Sequence, residues 1–134
     1  MDEAFNELSY YTLSHKTDEF IHQYVVDTFA AQTANEKTKP IKIAFALFGI
    51  YLHLEKNYTG KMVQKAHMQL AKYKNKLPTF LLPKNRGEIT VLDVIKIKPG
   101  VGRDKKIEEW MKSIWRVYKS SHKTVEEFLK KYLL

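Results

Sequence analysis

The sequence predicts an all-α fold: a four-helix-bundle-like core with short extra helices at the termini and one irregular connection over residues 77–103, in a single domain spanning 1–134. Three observations predict it. Apolar residues recur at helical spacing in four long segments. Helix-capping residues stand at the segment edges. The run Ile41–Leu54, which reads IKIAFALFGIYLHL, is apolar almost all the way round a helix, as a buried central helix should be.

The elements follow in order. Residues 2–13 suit a first helix with Phe5, Leu8 and Tyr11 or Thr12 inward, broken by Ser14-His15-Lys16. Thr17 is placed to cap a second helix, with Asp18 and Glu19 in its first turn, where carboxylates suit the helix dipole. That helix runs to about Ala34, and Phe20, Ile21, Tyr24, Val25, Thr28 and Gln32 share one face. His22 and Asp27 fall near opposite borders of that face, about 140° apart on the helical wheel. Pro40 suits the first position of the central helix, and Asn57, which tolerates a left-handed conformation, suits its end.

Thr59 is placed to cap a basic amphipathic helix with Met62, Val63, Ala66, Leu70 and Tyr73 inward and Lys61, Lys65, Lys72 and Lys76 on the far side, ended by Pro78. The stretch 88–97 is divided between signals. Its β-branched content favours a strand. Thr90 followed by Asp93 favours a capping box and a short helix, and no second strong strand exists to pair with it. Residues 99–103 read as a turn, Asp104 as the cap of a long helix with Ile107, Trp110, Met111, Ile114, Trp115 and Tyr118 inward, and Thr124 with Glu127 as the capping box of a final helix.

Composition narrows the function classes. The chain has no cysteine, which excludes disulfides and thiolate metal sites. Met1 is followed by two acids rather than the basic start of a signal peptide, and the longest apolar run is shorter than the roughly 20 residues of a membrane span. A cytoplasmic protein without a membrane span is the expectation. The net charge of +8 is uneven: residues 1–36 carry −6 and residues 37–134 carry +14. Such a basic protein attracts anions or nucleic acid. Yet 20 of the 23 basic residues are Lys, and bidentate phosphate or base readout favours Arg. Nucleic-acid or anion binding through Lys61, Lys65, Lys72 and Lys76 is therefore a secondary expectation.

Two constellations are candidates for a site. On the central helix, Lys42, Ala46, Gly49 and His53 form one strip of small or polar residues, and Trp110 and Trp115 can line an apolar pocket. Among the five histidines no His-x-x-x-His or His-Glu-x-x-His pair occurs, so a metal site must be assembled from separate helices. His22, His53 and His122 are the candidate ligands, and a divalent transition metal is the cofactor they would imply. No catalytic residue stands out: no nucleophile lies beside a predictable base. The leading expectation is a non-catalytic binding or self-associating domain without a cofactor, with a homodimer as its simplest partner and a metal-dependent enzyme as the alternative.

Several segments in order carry a resemblance: Val26-Asp27-Thr28-Phe29 with Gln32; Gly49 with Leu54-Glu55; Pro83 with Gly87, Thr90-Val91 and Asp93-Val94; and Trp110, Trp115, Tyr118 and His122. Together they resemble a group of small, mostly helical microbial proteins catalogued only as a domain of unknown function. That resemblance implies a helical fold and no assigned activity. The chain departs from the family pattern where Thr33-Ala34 replace a His-Pro, where Ala46 stands near the place of a central-helix His, and in lacking N-terminal cysteines. A looser, fold-level similarity is to the DinB-like four-helix bundles, some of which hold a metal with three histidines.

Overall fold

Among the described residues, seven α-helices form the fold, with the apolar run of residues 41–54 at its centre. A computed structural model describes residues 1–14 and 19–134. The helices are α1 (Asp2–Ser14), α2 (His22–Thr33), α3 (Pro40–Lys56), α4 (Gly60–Leu70), α5 (Val91–Ile95), α6 (Val101–Val117) and α7 (His122–Tyr132), with 3-10 turns at Ala71–Lys76 and Lys119–Ser121. No strand occurs among the described residues, and no helix there is long and apolar enough to cross a membrane. The apolar spine α3 packs most extensively on α2 and also meets α4, α6 and α7, while α1 and α5 pair on the outer side of α2 and α6. Phe48, Leu47, Ile50 and Leu52 of α3 are fully buried with Trp110, Met111 and Ile114 of α6 and Leu129 of α7.

Local chemistry accounts for most helix ends. Pro40 occupies the first turn of α3. Asn57 ends that helix in the left-handed region (φ 57°, ψ 31°), with its N–H bonded back to the His53 carbonyl at 3.1 Å. The Thr59 hydroxyl accepts the Met62 N–H at 3.2 Å, capping α4. At Thr90 the capping box forms: its hydroxyl accepts the Leu92 N–H, and the Asp93 carboxylate accepts the Thr90 N–H at 2.8 Å. Residues 91–95 are accordingly helix, and the β-branched content of that stretch is used for packing, with Val91 and Val94 buried.

Where tertiary contacts intrude, the ends move. The expected cap at Thr17 lies outside the described residues, and α2 begins at His22, past the acidic Glu19. Phe20 takes a positive φ of 54°, and the Glu19 carbonyl accepts the N–H of Gly60. A Cβ on Gly60 would lie 2.0 Å from the Phe20 carbonyl oxygen, so only glycine lets α4 start against this bend. The segment is spent on docking rather than on helix.

Likewise α6 begins at Val101, three residues before the expected cap. Asp104 instead accepts the Tyr11 hydroxyl at 2.9 Å, tying α1 to α6. Arg103, read from sequence as part of a turn, is in helix and buried: its guanidinium donates to the Ile97 and Ile95 carbonyls and lies 4.6 Å from the Tyr11 ring. The Thr124–Glu127 capping box does not form. The chain passes from α6 to α7 through a 3-10 turn, Ser121 is already in the right-handed region, and Thr124 lies inside the helix. Finally, Met62, expected inward, is 43% exposed, while Val63, Ala66 and Leu70 are buried as the periodicity requires.

Candidate functional site

The close contact of α2 with α3 sets the site. Ala30 and Ala31 of α2 and Ala44, Ala46 and Gly49 of α3 are small and buried, so the two backbones can approach. Into that contact α2 projects Asp27, only 5% exposed. A Cβ built on Gly49 would lie 2.0 Å from Asp27 Oδ2 and 2.8 Å from its Cγ. Glycine in a helix interior costs about 1 kcal/mol relative to alanine. Here that cost makes room for a carboxyl group.

Asp27 has little compensation for its burial. Gln23 Nε2, one turn earlier, donates to Oδ1 at 3.1 Å. Among the described residues Oδ2 accepts no hydrogen bond, and no Lys, Arg or His forms an ion pair with the group. Burial pushes the carboxyl well above the usual carboxylate range, and the Gln23 bond only partly opposes it.

What remains of the Asp27 surface opens on a cleft of about 250 Å³ between α2, α3 and the α4 residue His67. Gln23, Lys42 and His67 supply its other polar groups; Phe45 and Ala46, with Val26, Ala30 and Ile41, supply apolar wall. The His67 ring stacks on Phe45 with centroids 5.0 Å apart, and Nε2 lies 2.9 Å from the Phe45 carbonyl. That carbonyl can only accept, so Nε2 carries the proton. Burial lowers the pKa of His67 against the opposing effect of this bond, so the ring is neutral at physiological pH and Nδ1 is an acceptor.

A second buried polar group sits at position 32 on α2. Gln32 Nε2 donates to the carbonyls of Arg86 (2.8 Å) and Ile89 (2.7 Å), and its Oε1 accepts Trp110 Nε1–H at 2.9 Å. Arg86 returns a bond to the Gln32 carbonyl at 3.2 Å, and the Tyr118 hydroxyl donates to the Ala31 carbonyl at 2.6 Å. This node clamps the irregular connection and α6 onto α2.

The match to a known family covers residues 2–119. The chain belongs to a family of unknown function (DUF5946). No curated protein and no solved structure matches the chain. Residues that carry the resemblance meet across the fold, Asp27 with Gly49 and Gln32 with Trp110 and the loop before Thr90, and Thr90 meets Asp93 in the local capping box of α5. His122, which stacks on Trp115, lies beyond the matched residues.

The three candidate histidines are held apart, each by its own partners. His22 Nδ1 lies 3.0 Å from the Thr12 hydroxyl, near α1. His53 stacks on Tyr24 at 3.8 Å, with Nδ1 2.9 Å from the Tyr58 carbonyl and Nε2 2.9 Å from the Glu108 carboxylate. His122 Nε2 donates to the Trp115 carbonyl at 2.7 Å, and its ring stacks on that indole at 3.7 Å. Among the described residues no group of three His, Asp or Glu is arranged to hold a metal ion.

Of the strip on α3, Lys42 and Ala46 line the cleft and Gly49 lies against Asp27, while His53 belongs to the separate cluster with Tyr24 and Glu108. Trp110 is fully buried and bonded to Gln32. Trp115 lines a different, more polar cleft of about 340 Å³ with Tyr51, Glu55 and Glu126. Lys61, Lys65, Lys72 and Lys76 are exposed on α4 and its 3-10 extension, away from the Asp27 cleft. Gln23, Asp27, Phe45 and His67 were not singled out by sequence reasoning as a group. The signal that pointed toward them was the glycine in the middle of an apolar helix.

Proposed function

We propose that the protein is a non-catalytic binding domain that takes a small ligand in the cleft between α2, α3 and α4. The observation that supports this reading is Asp27: a carboxyl nearly removed from water, held by one hydrogen bond, at the wall of a mostly apolar cleft. Buried polar groups without partners destabilise a fold, and a strongly perturbed carboxyl lining a cavity is a signature of a functional site. The cleft is smaller than the ~300–1,000 Å³ of pockets for drug-sized ligands, so the ligand has only a few heavy atoms.

A fragment screen of charged and neutral compounds, followed through the backbone amides of Ala46, Gly49 and His67, tests the reading. Fragments should shift these amides in the wild type, and Ala46→Leu, which fills the cleft, should abolish the shifts. A screen with no hits at these amides, or hits indifferent to Ala46→Leu, would overturn it.

A further inference from the structure

We infer that the ligand of this cleft is a small organic cation, an alkylammonium, whose charge pairs with Asp27. The inference rests on the binding role proposed above and names the chemistry of the bound group. Apart from the exposed Lys42 at its edge, the cleft's side-chain atoms without a partner among the described residues are Asp27 Oδ2, Gln23 Oε1 and His67 Nδ1, which are all acceptors once Asp27 is ionised. Asp27 Oδ2 accepts nothing among the described residues. Gln23 gives its amide N–H to Asp27, and its Oε1 accepts no hydrogen bond there. His67 gives its Nε2 proton to the Phe45 carbonyl, which leaves Nδ1 with a lone pair. An ammonium brings three N–H donors and one charge, the complement of such a lining.

The apolar wall suits the rest of the ligand. Phe45 offers an aromatic ring, whose face attracts cations, and Val26, Ala30 and Ile41 suit an alkyl chain. Among the described residues no cation pairs with Asp27. Lys42 lines the cleft but is exposed and makes no ion pair, so its charge is screened by water. Gly49, meanwhile, keeps the place that the Asp27 carboxyl occupies. A purely structural role would be filled as well by an uncharged side chain, because the Gln23 contact needs only an acceptor oxygen.

Binding a cation here is coupled to a proton. Burial disfavours the ionised carboxyl and an entering ammonium favours it, so cation binding is linked to loss of the Asp27 proton. Affinity should therefore rise about tenfold per pH unit while the free carboxyl remains protonated. The other titratable groups facing the cleft are Lys42 and His67. His67, whose pKa lies below the ordinary value of 6.5, changes charge only in the acidic part of such a titration.

The probes are n-butylammonium chloride and its neutral counterpart of the same size, 1-butanol, titrated into the wild type and Asp27→Asn and followed by the amides of Ala46 and Gly49. The expected result is that butylammonium binds the wild type more tightly than butanol, tightens as the pH is raised, and weakens at least tenfold in Asp27→Asn. The pH profile of the wild type decides the matter even if the variant fails to fold. Butanol binding as tightly as butylammonium, with no pH dependence, would overturn the cation and leave the binding role standing. Binding of neither probe at these amides, together with a blank fragment screen, would overturn both.

Discussion

Gln32 and Asp27 are buried polar residues on the same helix, 7% and 5% exposed, and the fold treats them in opposite ways. Gln32 is fully used: both amide protons and the carbonyl oxygen have partners on the 86–89 loop and on Trp110. Asp27 has one neutral donor at 3.1 Å and an open cleft. Burial alone therefore says little about a polar side chain's role. A satisfied group holds segments together, because each partner would be orphaned without it. An unsatisfied one subtracts from stability, and its place in the structure needs another reason.

The comparison can be broken at its strong end first. Gln32→Leu strands the Trp110 N–H and two loop carbonyls in the interior, and should destabilise the protein by about 3–5 kcal/mol in urea denaturation, since each buried orphan costs roughly 1–3 kcal/mol. A loss under 1 kcal/mol would mean that water replaces the glutamine, and that the node is not a clamp.

At the weak end, Gly49→Ala should destabilise by about 1–3 kcal/mol, the usual range for overpacking, because its methyl group would collide with the Asp27 carboxyl. In an Asp27→Ala background the same change should become neutral or stabilising by up to about 1 kcal/mol, the helix propensity gain. Additivity in this double-mutant cycle would show that Gly49 does not exist for Asp27.

The smallest expected effect comes from a satisfied group that titrates. His53 faces acceptors on both ring nitrogens, the Tyr58 carbonyl and Glu108, which suits the doubly protonated ring. Burial opposes the charged ring, but the Glu108 and Tyr58 hydrogen bonds and the charges of Glu108 and Glu19 outweigh it, so the pKa is raised above 6.5. Glu108 is lowered below 4.5, chiefly by its hydrogen bond to His53, with burial opposing. A raised histidine stabilises fully below its unfolded value and loses that contribution as pH rises through its folded value; a lowered glutamate loses its contribution as pH falls. The pair's contribution should therefore peak between about pH 4.5 and 6.5. Thermal melts of the wild type and His53→Gln should diverge most in that window and converge above it. Parallel curves across the range would show the pair to be energetically silent.

Most of the helices were legible in the sequence because their signals are local. The stripe Ile107–Tyr118, the left-handed Asn57, the Thr59 cap and the Thr90–Asp93 box depend on spacings of a few residues within one segment. The same locality explains the misread ends. Asp104 has the chemistry of a cap, yet Tyr11, 93 residues away, claims its carboxylate. Residues 19–20 carry helix-compatible side chains, yet docking against Gly60 bends them.

The candidate site was legible only as a hint. The sequence by itself determined a buried central helix with a glycine at its middle and a polar strip from Lys42 to His53. Only the tertiary structure decided that Asp27 fills the space beside that glycine, that His67 and Gln23 share its cleft, and that His53 turns instead to Tyr24 and Glu108. The physical reason is that periodicity fixes which residues share a face of one helix. How one helix is set against another depends on how small residues on both, such as Ala30, Ala46 and Gly49, allow their backbones to close.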